Sequence, residues 1–306
     1  MKKDGIILLN KVKGISSFKA INQIKWNIGA SKIGHAGTLD PMAEGLMVVM
    51  VNSATKFSED LMKKDKEYYV EMELGYETDT YDAEGKKTKI YDGIIEYDEQ
   101  NVRDVINSFV GIQDQIPPMY SALKVNGRKM YEMAREGIEI ERKPRRVEIY
   151  SIRDITIKGK RITFYVEVSS GTYIRSLVRD IGEKLSFWAT MTKLIRTKID
   201  KYSLENAFLF EEIEKSENKE ELIIDIESLF DYEHIILSKN ELLKLSNGMT
   251  TILELSKHAI SNMEDIKNKV EANCNENFTT VLANLYRNEK DSNGWHADNE
   301  RELGRN

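Results

Sequence analysis

The chain has 306 residues, 41% hydrophobic and 31% charged, with a net charge of −6, a composition that suits a soluble globular protein of one large or two smaller domains. No stretch approaches the roughly 20 apolar residues of a membrane span, and Met1 to Gly5 leads into only a short apolar run, so a cytoplasmic protein without a membrane partner is expected. One cysteine, Cys274, excludes an internal disulfide framework, and four scattered histidines argue against a metal centre in the main body.

Residues 5–10 read as a buried strand and Lys11 to Gly14 as the turn after it. Ser16 or Ser17 can cap a helix whose apolar positions Phe18, Ile21, Ile24 and Ile28 fall at helical spacing, with Gly29 as its stop. In residues 34–47, GHAGTLDPMAEGLM, the two glycines Gly34 and Gly37, with His35 and Pro41, crowd around Asp40. Gly34 and Gly37 permit φ > 0 while Pro41 fixes φ and lacks an N–H, which predicts a shaped loop rather than helix or strand. The apolar run Leu46 to Val51 predicts a buried strand able to hold that loop still.

In residues 66–75, Tyr68, Val70, Met72 and Leu74 alternate with Tyr69, Glu71 and Glu73, the period of a half-buried strand with Tyr68 on its apolar face. Thr78 to Gly85 is an acidic loop containing Asp82. Residues 98–110 predict a helix with Val102, Val105, Ile106 and Phe109 on one face. Pro117 and Pro118 force an extended segment, and Asn126-Gly127 predicts a turn.

The acidic total hides an uneven distribution. Residues 1–200 carry 33 positive and 29 negative side chains, residues 201–306 carry 12 and 22, and residues 101–200 alone carry 19 and 12. Lys124, Arg128, Lys129, Arg142, Lys143, Arg145 and Arg146 form the densest basic region, a candidate phosphate-binding face. A helix near Met130 to Glu136 is followed by a hairpin of Val147 to Lys158 and Arg161 to Ser169. Ile174, Leu177, Val178, Ile181 and Leu185 mark one face of a further helix. Arg175 lies in its first turn, where the helix dipole disfavours a cation, so another group is expected to hold it. Residues 211–227 read as an acidic helical connector.

The GHAGTLDP string resembles the catalytic loop of the TruB-type tRNA pseudouridine synthases. The Lys66-Glu67-Tyr68 block, the Thr78 to Gly85 loop, Gln115 to Lys129, Gly171 to Arg175 and Leu194 to Thr197 follow in that family's order. One departure is Val12, where the family usually has proline. The resemblance implies an α+β fold with a mixed, largely antiparallel central sheet, spanning residues 1–232, and isomerisation of uridine 55 in the T-loop of tRNA by a cofactor-free monomer. It casts Asp40 as nucleophile, Tyr68 as the aromatic that stacks on the base and takes part in proton transfer, and Arg175 as the ion-pair partner of Asp40. His35 would fill the space left by the flipped nucleotide, Asp82 and Tyr173 would shape the pocket, and Lys124, Arg128 and Lys129 would contact the T-arm.

Residues 233–252 resemble the beginning of a small RNA-binding PUA domain that does not continue. From about residue 260 the chain resembles the AlkB-type iron and 2-oxoglutarate dioxygenases, with His296 and Asp298 matching half of an iron site. It stops at Asn306, before the remaining ligands, so residues 253–306 are expected to be catalytically inert and poorly ordered. Two further readings compete: a protein that binds and remodels tRNA without effective catalysis, and a dioxygenase fragment acting on nucleic acid.

Overall fold

A computed structural model describes residues 3–125, 127–229 and 240. All but the last belong to one compact unit, Met1–Leu229. The chain enters on β1 (Gly5–Lys11) and turns into α1 (Ser17–Ile28). Ser16 caps this helix by accepting from the Lys19 N–H, and Gly29 ends it in the left-handed conformation. Ile21, Ile24 and Ile28 face the core as expected. Phe18 does not, being 71% exposed; Ala20 and Ser17 are buried there instead.

After α1 come β2 (Ile33–His35) and β3 (Glu44–Val51), then α2 (Ser58–Met62), β4 (Lys66–Leu74) and the small hairpin of β5 (Tyr76–Thr78) and β6 (Lys87–Ile90). The expected loop thus begins later than Gly34, because Ile33 to His35 pair with Val51 to Val49 of β3. α3 (Glu99–Asn107) and β7 (Gly111–Gln115) lead to a second small hairpin, β8 (Lys124–Val125) and β9 (Arg128–Lys129), followed by α4 (Met130–Arg135). β10 (Arg145–Lys158), β11 (Arg161–Val168), α5 (Ile174–Lys184), β12 (Ala189–Ile199) and β13 (Tyr202–Ser203) complete the middle of the chain. The connector at 211–227 is α-helical only in α6 (Phe210–Lys215); further on, β14 (Ile224–Asp225) pairs with β1 and a 3-10 turn starts at Ile226, so the predicted long helix is absent.

Ten strands form the main sheet, in the order β14-β1-β3-β12-β4-β11-β10-β7, with β2 added to β3 and β13 to β12. Every pairing is antiparallel except that of β3 with β12, where Glu44 and Gly45 lie opposite Ile195 and Arg196. Gly45 is required there: a Cβ would lie 2.4 Å from the Arg196 carbonyl oxygen, and its φ of +100° suits only glycine. On its other edge β12 runs antiparallel to β4, so Arg196 is flanked by Gly45 and by Tyr68. The core joins β3, β4, β11 and β12 to α1, α3 and α5, burying Val49, Val70, Phe164, Val178 and Ile181 among others. α5 packs close against β12, for a Cβ on Gly182 would meet the Ala189 nitrogen at 2.3 Å.

Candidate active site

The Asp40 loop spans the gap between β2 and β3, and donors from outside it hold its backbone. Ser17, at the start of α1, accepts from the Leu39 N–H at 2.8 Å and donates to the Leu39 carbonyl at 2.7 Å. The Lys11 ammonium, at the end of β1, donates to Ala43 O at 2.6 Å, Val12 O at 3.0 Å and Pro41 O at 3.4 Å. Arg196 on β12 donates through Nε to Leu46 O at 2.7 Å and through Nη2 to Gly37 O at 3.2 Å. Buried carbonyls need such partners, and a loop without sheet pairing finds them in side chains and in neighbouring turns, as where Pro41 O also accepts from the Gly14 N–H at 2.8 Å.

The Asp40 carboxylate meets Arg175, whose Nη2 lies 3.0 Å from Oδ2. Arg175 is the best-connected cation here. Its Nη1 lies 3.5 Å from Asp82 Oδ2 and donates to Thr80 O at 3.1 Å, and its Nη2 also donates to Tyr120 O at 2.8 Å. Two carboxylates and two carbonyls thus account for an arginine in the first turn of α5, where the helix dipole alone would disfavour it. Asp82 is buried rather than solvated; its Oδ1 accepts from the Thr80 hydroxyl at 2.7 Å and the Glu84 N–H at 3.1 Å. The acid of a polar loop has become the second wall of the site.

Burial pushes the Asp40 carboxyl up from its usual range, Asp82 adds to that push, and Arg175 with Lys11 opposes it. Its side chain still keeps 36% of its surface open, enough for a substrate atom to reach it. Burial holds the Lys11 ammonium down at about 8, partly offset by Asp40 and Glu44. Lys66 is likewise held at about 8, by burial and by the Arg196 charge.

His35 lies at the end of β2. Burial foremost, then the Arg196 charge, lowers its basicity, and its Nδ1 is buried without a partner among the described residues. Tyr173 precedes α5, its backbone held at both ends by Gln115, which accepts from its N–H at 2.8 Å and donates to its carbonyl at 3.1 Å. Burial raises its phenol pKa; Ser121, Arg145 and Arg175 oppose the rise, and Asp40 adds to it. Tyr68 is buried on β4 beside Arg196, and its hydroxyl makes no hydrogen bond to another described residue. The structure therefore brings Asp40 and Asp82 together on Arg175, whereas the hydrogen-bond and ion-pair partners of Arg175 among the described residues do not include Tyr68 or His35.

Lys124, Arg128 and Lys129 lie on the β8–β9 hairpin, Lys124 opposite Lys129. Lys124 is exposed, Arg128 is ion-paired with Glu136 at 2.6 Å, and Lys129 lies 5.4 Å from the centre of the Tyr131 ring. Among the described residues no three histidine, cysteine or acidic side chains are grouped to hold a metal ion, and no helix is long and apolar enough to cross a membrane. Most of residues 233–252, and His296 and Asp298 in the tail, lie outside the described residues. Lys11, Ser17, Gln115 and Arg196 were not anticipated as parts of the site. Lys11 left a trace in the sequence as a charged residue at the end of a largely apolar run, Ser17 as a candidate helix cap, and Gln115 and Arg196 as members of blocks that follow the family's order.

The model of the TruB family of pseudouridylate synthases, N-terminal domain, matches residues 25–174. A tRNA pseudouridine synthase B of Fusobacterium nucleatum is 48% identical over 202 residues, 66% of this chain and 70% of that protein. Its counterpart in Aquifex aeolicus is 42% identical over 229 residues, 74% of this chain and 79% of that one. Among solved structures, a Cbf5-Nop10-Gar1 complex gives a TM-score of 0.55 at 28% identity, covering 73% of this chain and 60% of the other. An H/ACA RNP bound to a substrate RNA containing 2'-deoxyuridine gives 0.53 at 26%, covering 73% and 59%. The chain thus spans about three fifths of those two structural relatives, and none of the four proteins is a dioxygenase by name.

Proposed function

From the premise that the chain belongs to the TruB family of pseudouridylate synthases, and so is an isomerase that makes pseudouridine in tRNA, we propose that Asp40 is its nucleophile and uridine 55 of the T-loop its target. The fold is that of the pseudouridine synthases. The reaction breaks the bond from N1 to the ribose C1', remakes it from C5 to C1', and moves the C5 proton away, with N1 left protonated. Atoms balance without an oxidant or a phosphate donor.

The contact that carries this reading is Arg175 on Asp40 at 3.0 Å. Burial disfavours the ionised acid; the guanidinium favours the charged form and fixes which oxygen faces outward. Asp40 then attacks either the uracil ring or the sugar carbon. Asp82 holds the other side of Arg175, so that the arginine stays in place when Asp40 becomes bonded to substrate. Tyr68 offers a ring face for the extruded uracil and a hydroxyl for the C5 proton. Tyr173 closes the side of the pocket next to Arg175. His35, kept neutral, is suited to fill an emptied base position without charge. Lys124, Arg128 and Lys129 supply phosphate contacts that position the T-arm, and the protein acts as a monomer in the cytoplasm. Residues 253–306, with their AlkB-like stretch, have no part in this scheme.

The test is pseudouridine formation in a T-arm stem-loop transcript by the intact chain and by Asp40→Asn. Product from the first and none from the second, with RNA affinity retained, is expected. Product from a clean Asn variant would refute the nucleophile assignment. No product from either, with binding intact, would favour tRNA remodelling without catalysis.

A further inference from the structure

Arg196 is the largest fully buried side chain among the described residues, 1% exposed in the middle of a central strand. No ion pair to a carboxylate is present for it among those residues. A fixed charge in that position is costly unless its donors are used, and an apolar residue of similar volume would pack there at lower cost. Its donors converge on the Asp40 loop, reaching Gly37 O and Leu46 O on opposite sides of the acid.

Its strand position adds a second constraint. Arg196 is opposite Gly45 across the parallel junction with β3 and opposite Tyr68 across the antiparallel junction with β4. One residue therefore binds the entry of the loop, its exit and the strand that carries Tyr68. Ser17 and Lys11 grip the loop from the other side, at Leu39 and at Ala43. The planar fork matters, because two carbonyls in different directions are served from one rigid group. Its charge also reaches His35, Lys11 and Lys66, each of which it makes harder to protonate.

We propose that Arg196 is a positioning residue for the isomerisation: without touching substrate, it sets the Asp40 loop against β4 so that the carboxylate stands between Arg175 and the uracil. The inference rests on Asp40 being the nucleophile. A displacement of about 1 Å at a reacting group is enough to cost about 100-fold in rate, and a lysine at 196 brings a single nitrogen where the guanidinium presents Nε to Leu46 O and Nη2 to Gly37 O.

The experiment measures kcat, KM and the pH profile of pseudouridine formation on full-length tRNA for the parent chain, Arg196→Lys, Arg196→Met and Asp40→Asn. Arg196→Lys is expected to lose about 10- to 100-fold in kcat, with KM little changed and the folded state intact by melting. The acid limb of its kcat profile is expected to move to higher pH, because a carboxylate that wanders from Arg175 is easier to protonate. Arg196→Met is expected to lose more and to melt earlier; if it does not fold, Arg196→Lys decides. A parent-like kcat in Arg196→Lys, or a loss confined to KM, overturns the inference while leaving the functional reading intact. Absence of product from the parent overturns both.

Discussion

Removing Arg175 should damage catalysis and folding through separable parts of the same contact set. In Arg175→Ala, Asp82 keeps its buried position, with only 6% of its side chain exposed, and loses the cation 3.5 Å away. Breaking a buried pair from one side typically costs about 3–5 kcal/mol, and the carbonyls of Thr80 and Tyr120 lose their donor as well. Asp40, one third open to solvent, adds little to that loss. Its effect appears in the chemistry: with the lowering influence of Arg175 gone, burial and Asp82 push its carboxyl further up. As the proposed nucleophile Asp40 has to be ionised, so activity should be lost as pH falls, and the acid limb should begin at a higher pH than in the parent. Loss of one preorganised charge contact usually costs about 100- to 1000-fold in rate. The assay is single-turnover pseudouridine formation from pH 5 to 9, beside thermal melting of Arg175→Ala and of Arg175→Ala/Asp82→Asn. The double variant should recover stability, because the unpaired buried charge is gone, and should recover no activity. Parent-like turnover in Arg175→Ala, or a double variant less stable than the single, would refute the reasoning.

Lys11 should supply an alkaline limb: its ammonium holds Ala43 O and titrates near 8, so turnover should fall above that pH in the parent, and an unchanged limb in Lys11→Met would exclude it. Stability should move the other way, since the folded-state pKa lies below the ordinary lysine value of 10.5 and the unfolded chain binds the extra proton between the two, so unfolding free energy rises with pH there; Lys66 contributes in the same direction. Ser17→Ala removes both partners of Leu39 and should cost about 1–3 kcal/mol by denaturant melting, with kcat reduced more than RNA affinity; a neutral variant would show the latch to be dispensable. Gly45→Ala should destabilise by more than about 1 kcal/mol, because its Cβ would meet the Arg196 backbone and its φ is positive; parent-like melting would show that the junction gives way.

The residues of the Asp40–Arg175 contact were legible because they sit in short, unusual strings. Asp40 stands in a loop of glycines and proline, and Arg175 stands out as a cation at a helix start. The Asp40–Arg175 pair was implied by the resemblance, whereas the other partners of Arg175 were not legible, since Thr80 O and Tyr120 O reach it through tertiary structure alone. Alternation placed Tyr68 on the buried face of β4, whereas the same rule reads Arg196 as merely a charged residue in a strand and gives no sign that its head is buried. Phe18 shows the opposite failure: helical spacing assigned it to the core, yet the α1 surface there faces solvent. The 211–227 segment was misread because an acidic composition suits an exposed helix. Ile224 instead found a strand partner in β1, some 220 residues away in sequence.

The position of β12 in the sheet bears on how the protein is made. β12 lies between β3 and β4, strands synthesised more than a hundred residues earlier. Until Ala189 to Ile199 leave the ribosome, the strands through β3 and the strands from β4 onward have no shared member, and each keeps a bare edge with unpaired amides. Pairings of such long sequence separation form slowly. The nascent chain therefore carries Asp40 well before Arg196 and Arg175 can reach its loop, and a chain arrested before residue 189 would be both inert and prone to edge-to-edge association.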